Sequence, residues 1–75
     1  PLVAIEILSP DDRSAEILTK LEEYRVWGVT HVWFVNPISR KLYVYSAGLS
    51  EVATLSLPEY GVEIAAPEVF RSPAP

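Results

Sequence analysis

The sequence predicts a mixed α/β (α+β) fold, in which a strand–helix–strand unit is followed by antiparallel strands. Three observations carry that expectation. Leu2–Leu8 and His31–Val35 are short apolar runs of strand length. Between them Ile17, Leu21 and Tyr24 recur at helical spacing, with Leu18 beside them. Beyond Val35 the chain is punctuated by Asn36-Pro37, Gly48 and Pro58-Glu59-Tyr60-Gly61, the residue types that turn one strand into the next.

In the opening strand Val3, Ile5 and Ile7 point one way, and Leu2, Ala4, Glu6 and Leu8 the other. Only Glu6 interrupts the apolar character of the two faces. That pattern predicts a central strand, covered on both sides and parallel to its neighbour. Ser9-Pro10-Asp11-Asp12 follows. Ser9 suits a capping turn, Pro10 the first helical position, and the two aspartates the positive end of a helix dipole. A helix is expected from Arg13 to Trp27. Asp12–Glu16, Glu16–Lys20 and Lys20–Glu23 are spaced for contacts along it. Gly28 is its natural stop, because glycine enters the left-handed region at little cost.

His31–Val35 is the second strand. A single crossover helix makes it parallel to the first, with a right-handed connection. Residues Asn36 to Arg40 form a turn into a third strand, Lys41–Ser46, antiparallel to the second. Gly48 ends that strand. A fourth is expected over Glu51–Leu57, then a turn at Pro58–Gly61, a short strand at Val62–Ile64 and one helical turn at Pro67–Phe70. Residues 1–70 thus read as one unit, and 71–75 as a flexible proline-rich tail.

Seventy-five residues allow one domain, and a chain of this size buries only about 60% of its unfolded surface. The absence of cysteine excludes a disulfide framework and a thiolate zinc site, and a single histidine, His31, excludes a histidine-rich metal centre. A net charge of −4 argues against a broad basic surface for nucleic acid, while leaving room for a local basic cleft. No apolar run is long enough to span a bilayer and no leader segment is visible, so a cytoplasmic location without membrane contact is expected. Hydrophobic residues make up 49% of this small acidic chain, which predicts surface buried against another chain and hence a homo-oligomer. Leu2 already lies in a strand, which is the pattern expected of the C-terminal half of a larger domain.

Glu6 is the leading candidate for chemistry. An ionised carboxylate among apolar neighbours is costly unless a cation or hydrogen-bond donors compensate it. The ends of central strands in open α/β sheets are also common positions for functional groups. Glu6 therefore reads as a metal ligand or acid–base group, against the structural alternative of a face that opens to water. Lys20 lies on the margin of the apolar stripe and can reach the same end of the sheet; its alternative is a solvated lysine paired with Glu16 or Glu23. Trp27, Trp33, Tyr43 and Tyr45 lack interleaved basic residues apart from Arg40-Lys41, so they read as core or subunit contacts. His31 has no evident partner in the sequence.

The stretch Pro1-Leu2-Val3-Ala4-Ile5-Glu6-Ile7-Leu8-Ser9-Pro10, then Glu16 and Lys20, Tyr24, Gly28-Val29, and Val32-Trp33-Phe34-Val35-Asn36-Pro37 resembles, in order and spacing, a bacterial restriction-endonuclease family of the PD-(D/E)XK nuclease superfamily. The resemblance runs from Pro1 to about Tyr45. It implies a partial restriction-endonuclease-like core, with Glu6 as the catalytic and metal-binding carboxylate of the E-x-K element. The lysine position of that element holds Leu8, and Lys20 matches the helical lysine that is thought to substitute. Glu16 occupies the acidic position one turn before it, and Asn36 stands where many members carry aspartate before proline; both are candidate supporting residues. The strand that carries the superfamily's upstream aspartate is not in this chain, and a sheet without its upstream neighbours is expected to leave an exposed edge and an uncovered face.

The resemblance further implies Mg²⁺ or Mn²⁺ as cofactor, DNA as partner of the intact protein, and phosphodiester hydrolysis. In such a site carboxylates hold a cation that activates water, and a lysine stabilises charge developing on the phosphate. With one carboxylate of the pair, the chain by itself is expected to be inactive. The alternative is a non-catalytic interaction or oligomerisation module with a decayed nuclease site, which Leu8, Asn36 and the acidic pI of about 4.8 motivate.

Overall fold

The computed structural model describes residues 2–71. Strand β1 (Val3–Ile7) leads through helix α1 (Ser14–Val26) into β2 (His31–Asn36). The two strands are parallel, with Val3 opposite His31 and Ile7 opposite Val35. Strands β3 (Lys41–Tyr45) and β4 (Leu49–Val52) extend the sheet antiparallel, in the order β1-β2-β3-β4. Strands β5 (Thr54–Leu57) and β6 (Val62–Ala65) pair in a separate two-stranded sheet around a 3-10 turn at Pro58–Tyr60, and helix α2 (Ala66–Phe70) follows. Among the described residues, no helix is long and apolar enough to cross a membrane.

The strand–helix–strand unit is thus as expected, and its handling of apolar side chains explains the layering. Residues 32–35 of β2 are all buried, and the period of two sends them to opposite faces. Val32 and Phe34 join Ile17, Leu21 and Val29 beneath α1, with Ala4, Leu8, Tyr24, Tyr43 and Tyr45 at the margin. Trp33 and Val35 join Leu42 and Leu55 beneath the second sheet, with Leu57, Ala66 and Phe70 beside them. Helix α1 ends in a Schellman cap: the Val29 N–H donates to the Tyr24 carbonyl at 3.1 Å and the Gly28 N–H to that of Arg25 at 3.0 Å. The cap needs the left-handed φ of +84° that Gly28 supplies.

The structure corrects several expectations. Among the described residues β1 lies at the edge of its sheet and Ile5 and Ile7 are 48% and 62% exposed, so the exposed edge and uncovered face are as expected, whereas cover on both sides of β1 is not seen. The second core reaches β1 only at Val3, so beyond Val3 the face of β1 turned away from the helix is open. An apolar pattern on both faces says that a strand can be covered, not what covers it.

Helix α1 begins at Ser14, because Ser9–Asp12 closes a turn of its own. There the Ser9 N–H donates to Asp12 Oδ2 at 2.8 Å and the Asp12 N–H to the Ser9 carbonyl at 3.1 Å, which leaves Pro10 inside the turn. The ion pair along the helix is Arg25–Glu22, at 2.5 Å; among the described residues neither Glu16–Lys20 nor Lys20–Glu23, the two oppositely charged pairs of the three, closes within 4.0 Å.

The expected fourth strand, Glu51–Leu57, is two strands that break at Ala53 and belong to different sheets. Val52, Leu55 and Leu57 share one apolar cluster. In an unbroken strand Val52 would face away from the two leucines, so the chain has to change direction between them. His31 does have a partner: its Nε2 lies 2.7 Å from Glu59 Oε2, tying the start of β2 to the turn of the second sheet. The Arg40 guanidinium donates to the Phe70 carbonyl and ties α2 to the β2–β3 turn. The tail expected over 71–75 falls, after Arg71, outside the described residues.

Glu22 joins the helix to the sheet. Its carboxylate accepts from Arg25 at 2.9 and 2.5 Å and from the Tyr45 hydroxyl at 2.8 Å. The Arg25 contact, then that of Tyr45, holds the Glu22 carboxyl at about 2, below its ordinary 4.5. A depressed carboxyl contributes stability above its unfolded pKa, and the contribution is lost as pH falls toward the folded value. Urea unfolding followed from neutral pH downward should therefore show stability declining between about 4.5 and 2, with Glu22→Gln flattening that decline.

Candidate functional site

Alternation along β1 places Glu6 on the helix side of the sheet. Ala4 and Leu8, the residues two before and two after it, pack against the cluster beneath α1. Phe34 sits beside Glu6 in the register with β2. The carboxylate is half-buried, and its compensation comes from the helix: the Tyr24 hydroxyl donates to Glu6 Oε1 at 2.6 Å. This length is typical of a hydroxyl bound to an ionised carboxylate. The contact, together with burial and the nearby negative charge, pushes the Tyr24 phenol above its ordinary value of 10. Among the described residues no donor reaches Oε2 and no cation lies within 4.0 Å of Glu6.

Tyr24, which helical spacing assigns to the apolar stripe, belongs to the candidate site. Its signal was weak, since it fits the apolar stripe and stands 18 positions from Glu6. A phenol on the helix that packs over a strand carrying an acid is the pattern that points to it.

Lys20 is exposed and lies one turn before Tyr24, with Glu16 exposed one turn earlier still, so the three follow one ridge of α1. Glu6 and Lys20 thus lie on the same side of the sheet, but no ion pair within 4.0 Å joins them. The lysine's charge reaches Asp12 instead. The Asp12 carboxyl is lowered mainly by its hydrogen bonds with Ser9, and Lys20 adds to the effect. Leu8, in the position of the superfamily's lysine, packs against the core and lines a small apolar cleft with Ile17, Leu18, Phe34 and Leu49. The Asn36 side chain is committed to the hairpin: its Oδ1 accepts from the Ile38 and Ser39 N–H groups at 3.0 and 3.1 Å.

Among the described residues no three His, Cys, Asp or Glu side chains come together to hold a metal ion. Mg²⁺ and Mn²⁺ take about six oxygen or nitrogen ligands, and Glu6 offers one uncommitted carboxylate oxygen. The described residues do not by themselves make a site for either ion.

Comparison with known proteins places this arrangement. A family model described as Uma2, "Putative restriction endonuclease", matches residues 1–73. The chain belongs to the Uma2 family. No curated protein matches it. Among solved structures, it is similar to the crystal structure of a putative nuclease belonging to DUF820 from Anabaena variabilis, with a TM-score of 0.80 and 20% sequence identity. The match covers 93% of this chain and 44% of that one, so the chain spans less than half the length of this relative. At such identity the likeness is one of fold, and it agrees with the mixed α+β, nuclease-like architecture expected from the sequence.

Within the Uma2 chain, Asn36 as observed serves the turn. Asn36→Ala should lower stability by about 1 kcal/mol in chemical denaturation, while Asn36→Asp, which keeps an acceptor oxygen, should restore most of it.

Proposed function

We propose that this chain acts as the C-terminal part of a metal-dependent endonuclease that hydrolyses phosphodiester bonds in DNA. One observation carries the reading: a half-buried carboxylate, Glu6, stands on the helix side of the sheet with one oxygen uncommitted; the resemblance to the nuclease superfamily gives it the role of the E-x-K acid. Membership of Uma2 supports the reaction class. Glu6 supplies the acid of the site, and Lys20, on the ridge that also carries Tyr24, supplies the cation that meets the phosphate. Glu16 adjusts the local charge one turn away, and Asn36 shapes the adjoining turn. In this reading the Mg²⁺ or Mn²⁺ is held by the longer protein, with Glu6 as one ligand among several.

The test compares the longer protein with the 75-residue chain. With Mg²⁺ or Mn²⁺ the longer protein should cleave DNA, Glu6→Ala and Lys20→Ala should each reduce the rate roughly 100-fold or more, and the chain alone should show no cleavage above background. Robust metal-dependent turnover by the chain alone, or a Glu6→Ala protein as active as wild type, would contradict the reading.

The uncovered side chains of Ile5 and Ile7 on an edge strand favour a second reading, in which the chain is a non-catalytic module that pairs with further copies of itself. Light scattering on the 75-residue chain at micromolar concentration should then give at least a dimer mass. A monomer mass sinks the homo-oligomer.

A further inference from the structure

Two carboxylates receive a phenol in this fold, and they differ in a way that separates structure from chemistry. Glu22 accepts from Tyr45 and also from Arg25, so its charge is neutralised and both its oxygens are used. Glu6 accepts from Tyr24 alone, has no cationic partner within 4.0 Å among the described residues, and keeps Oε2 uncommitted. A contact that served stability alone would be expected to use the acid as fully as Glu22 is used.

The donor is held by its packing and by its backbone. Tyr24 lies in the last turns of α1, packs against the buried cluster of Ile17, Leu21, Val29, Val32 and Phe34, and meets Trp27 edge-on with ring centroids 6.0 Å apart. Its own carbonyl is tied into the helix cap by the Val29 N–H. Glu6, by contrast, is a flexible side chain on an edge strand and would sample several rotamers without an anchor.

We propose that Tyr24 is a positioning residue of the candidate site: it holds Glu6 in one rotamer through Oε1 and leaves Oε2 as the oxygen that does the chemistry. Lys20 lies one turn away on the same helical ridge, so a single helix sets the placement of both groups. The inference rests on the endonuclease reading and adds to it a residue that touches neither substrate nor reacting atoms. Preorganised placement of this kind acts on the chemical step and leaves ground-state binding of DNA largely unchanged.

The experiment uses the longer protein with plasmid DNA and Mg²⁺. Tyr24→Phe keeps the ring and its packing and removes only the hydroxyl. Expected is a kcat lower by about 10-fold with KM within roughly twofold of wild type. Thermal unfolding of both proteins is followed by far-UV circular dichroism. If the variant melts lower, kinetics at a temperature where both are fully folded decide the matter, because a merely structural tyrosine then leaves kcat untouched. An unchanged kcat, or a change confined to KM, overturns the role of Tyr24 while the endonuclease reading stands. A wild-type protein that cleaves with neither Mg²⁺ nor Mn²⁺ overturns the endonuclease reading and the role of Tyr24 with it.

Discussion

The two-sided burial of β2 is the constraint on which the rest of this small fold depends. Residues 32–35 are all excluded from solvent, yet alternation forces them into two separate cores. One layer has to be a helix, because the parallel connection from β1 to β2 needs a crossover, and α1 supplies it. The other layer cannot come from the same crossover, so it is made by the chain that follows β4. The break at Ala53 answers that demand: it turns Leu55 and Leu57 onto the face where Trp33, Val35 and Leu42 wait. A chain of this length has little apolar surface to spare, and here both cores share one strand.

The same arrangement sets up the candidate site. The cover that α1 gives β1 packs Ala4 and Leu8 against the core and would trap Glu6 between them without a partner. Tyr24 resolves this locally. Its ring belongs to the apolar layer, and its hydroxyl meets the carboxylate at the layer's margin. Glu6 is thereby kept half-buried with one oxygen held and the other uncommitted, a combination that neither an exposed acid nor one fully paired with arginine would have. The outward face of β1, with Ile5 and Ile7, remains open. The chain belongs to the Uma2 family and spans 44% of the similar nuclease's length.

Long-range polar ties hold the layers in register. His31 with Glu59 and Arg40 with the Phe70 carbonyl connect the second sheet and α2 to the first, and Glu22 with Tyr45 connects α1 to β3. All three lie toward the surface, where individual hydrogen bonds and ion pairs add modestly to stability. Their effect is to choose among packings that the apolar contacts alone would leave close in energy.

Read by itself, the chain order already contained the element types, the parallel β1–β2 pair, the hairpin after Asn36, the Gly28 cap, and the candidacy of Glu6 and Lys20. These are local matters, written in period, turn chemistry and spacing. It did not contain the break at Ala53, the partial cover of β1, or the partners of His31 and Glu6. Whether a strand is covered depends on layers assembled from distant segments, and a hydrogen bond between Glu6 and Tyr24 exists only once the crossover helix has folded back onto its strand. Side-chain pairing across 18 or 28 positions is a property of packing, and no local pattern of residues encodes it.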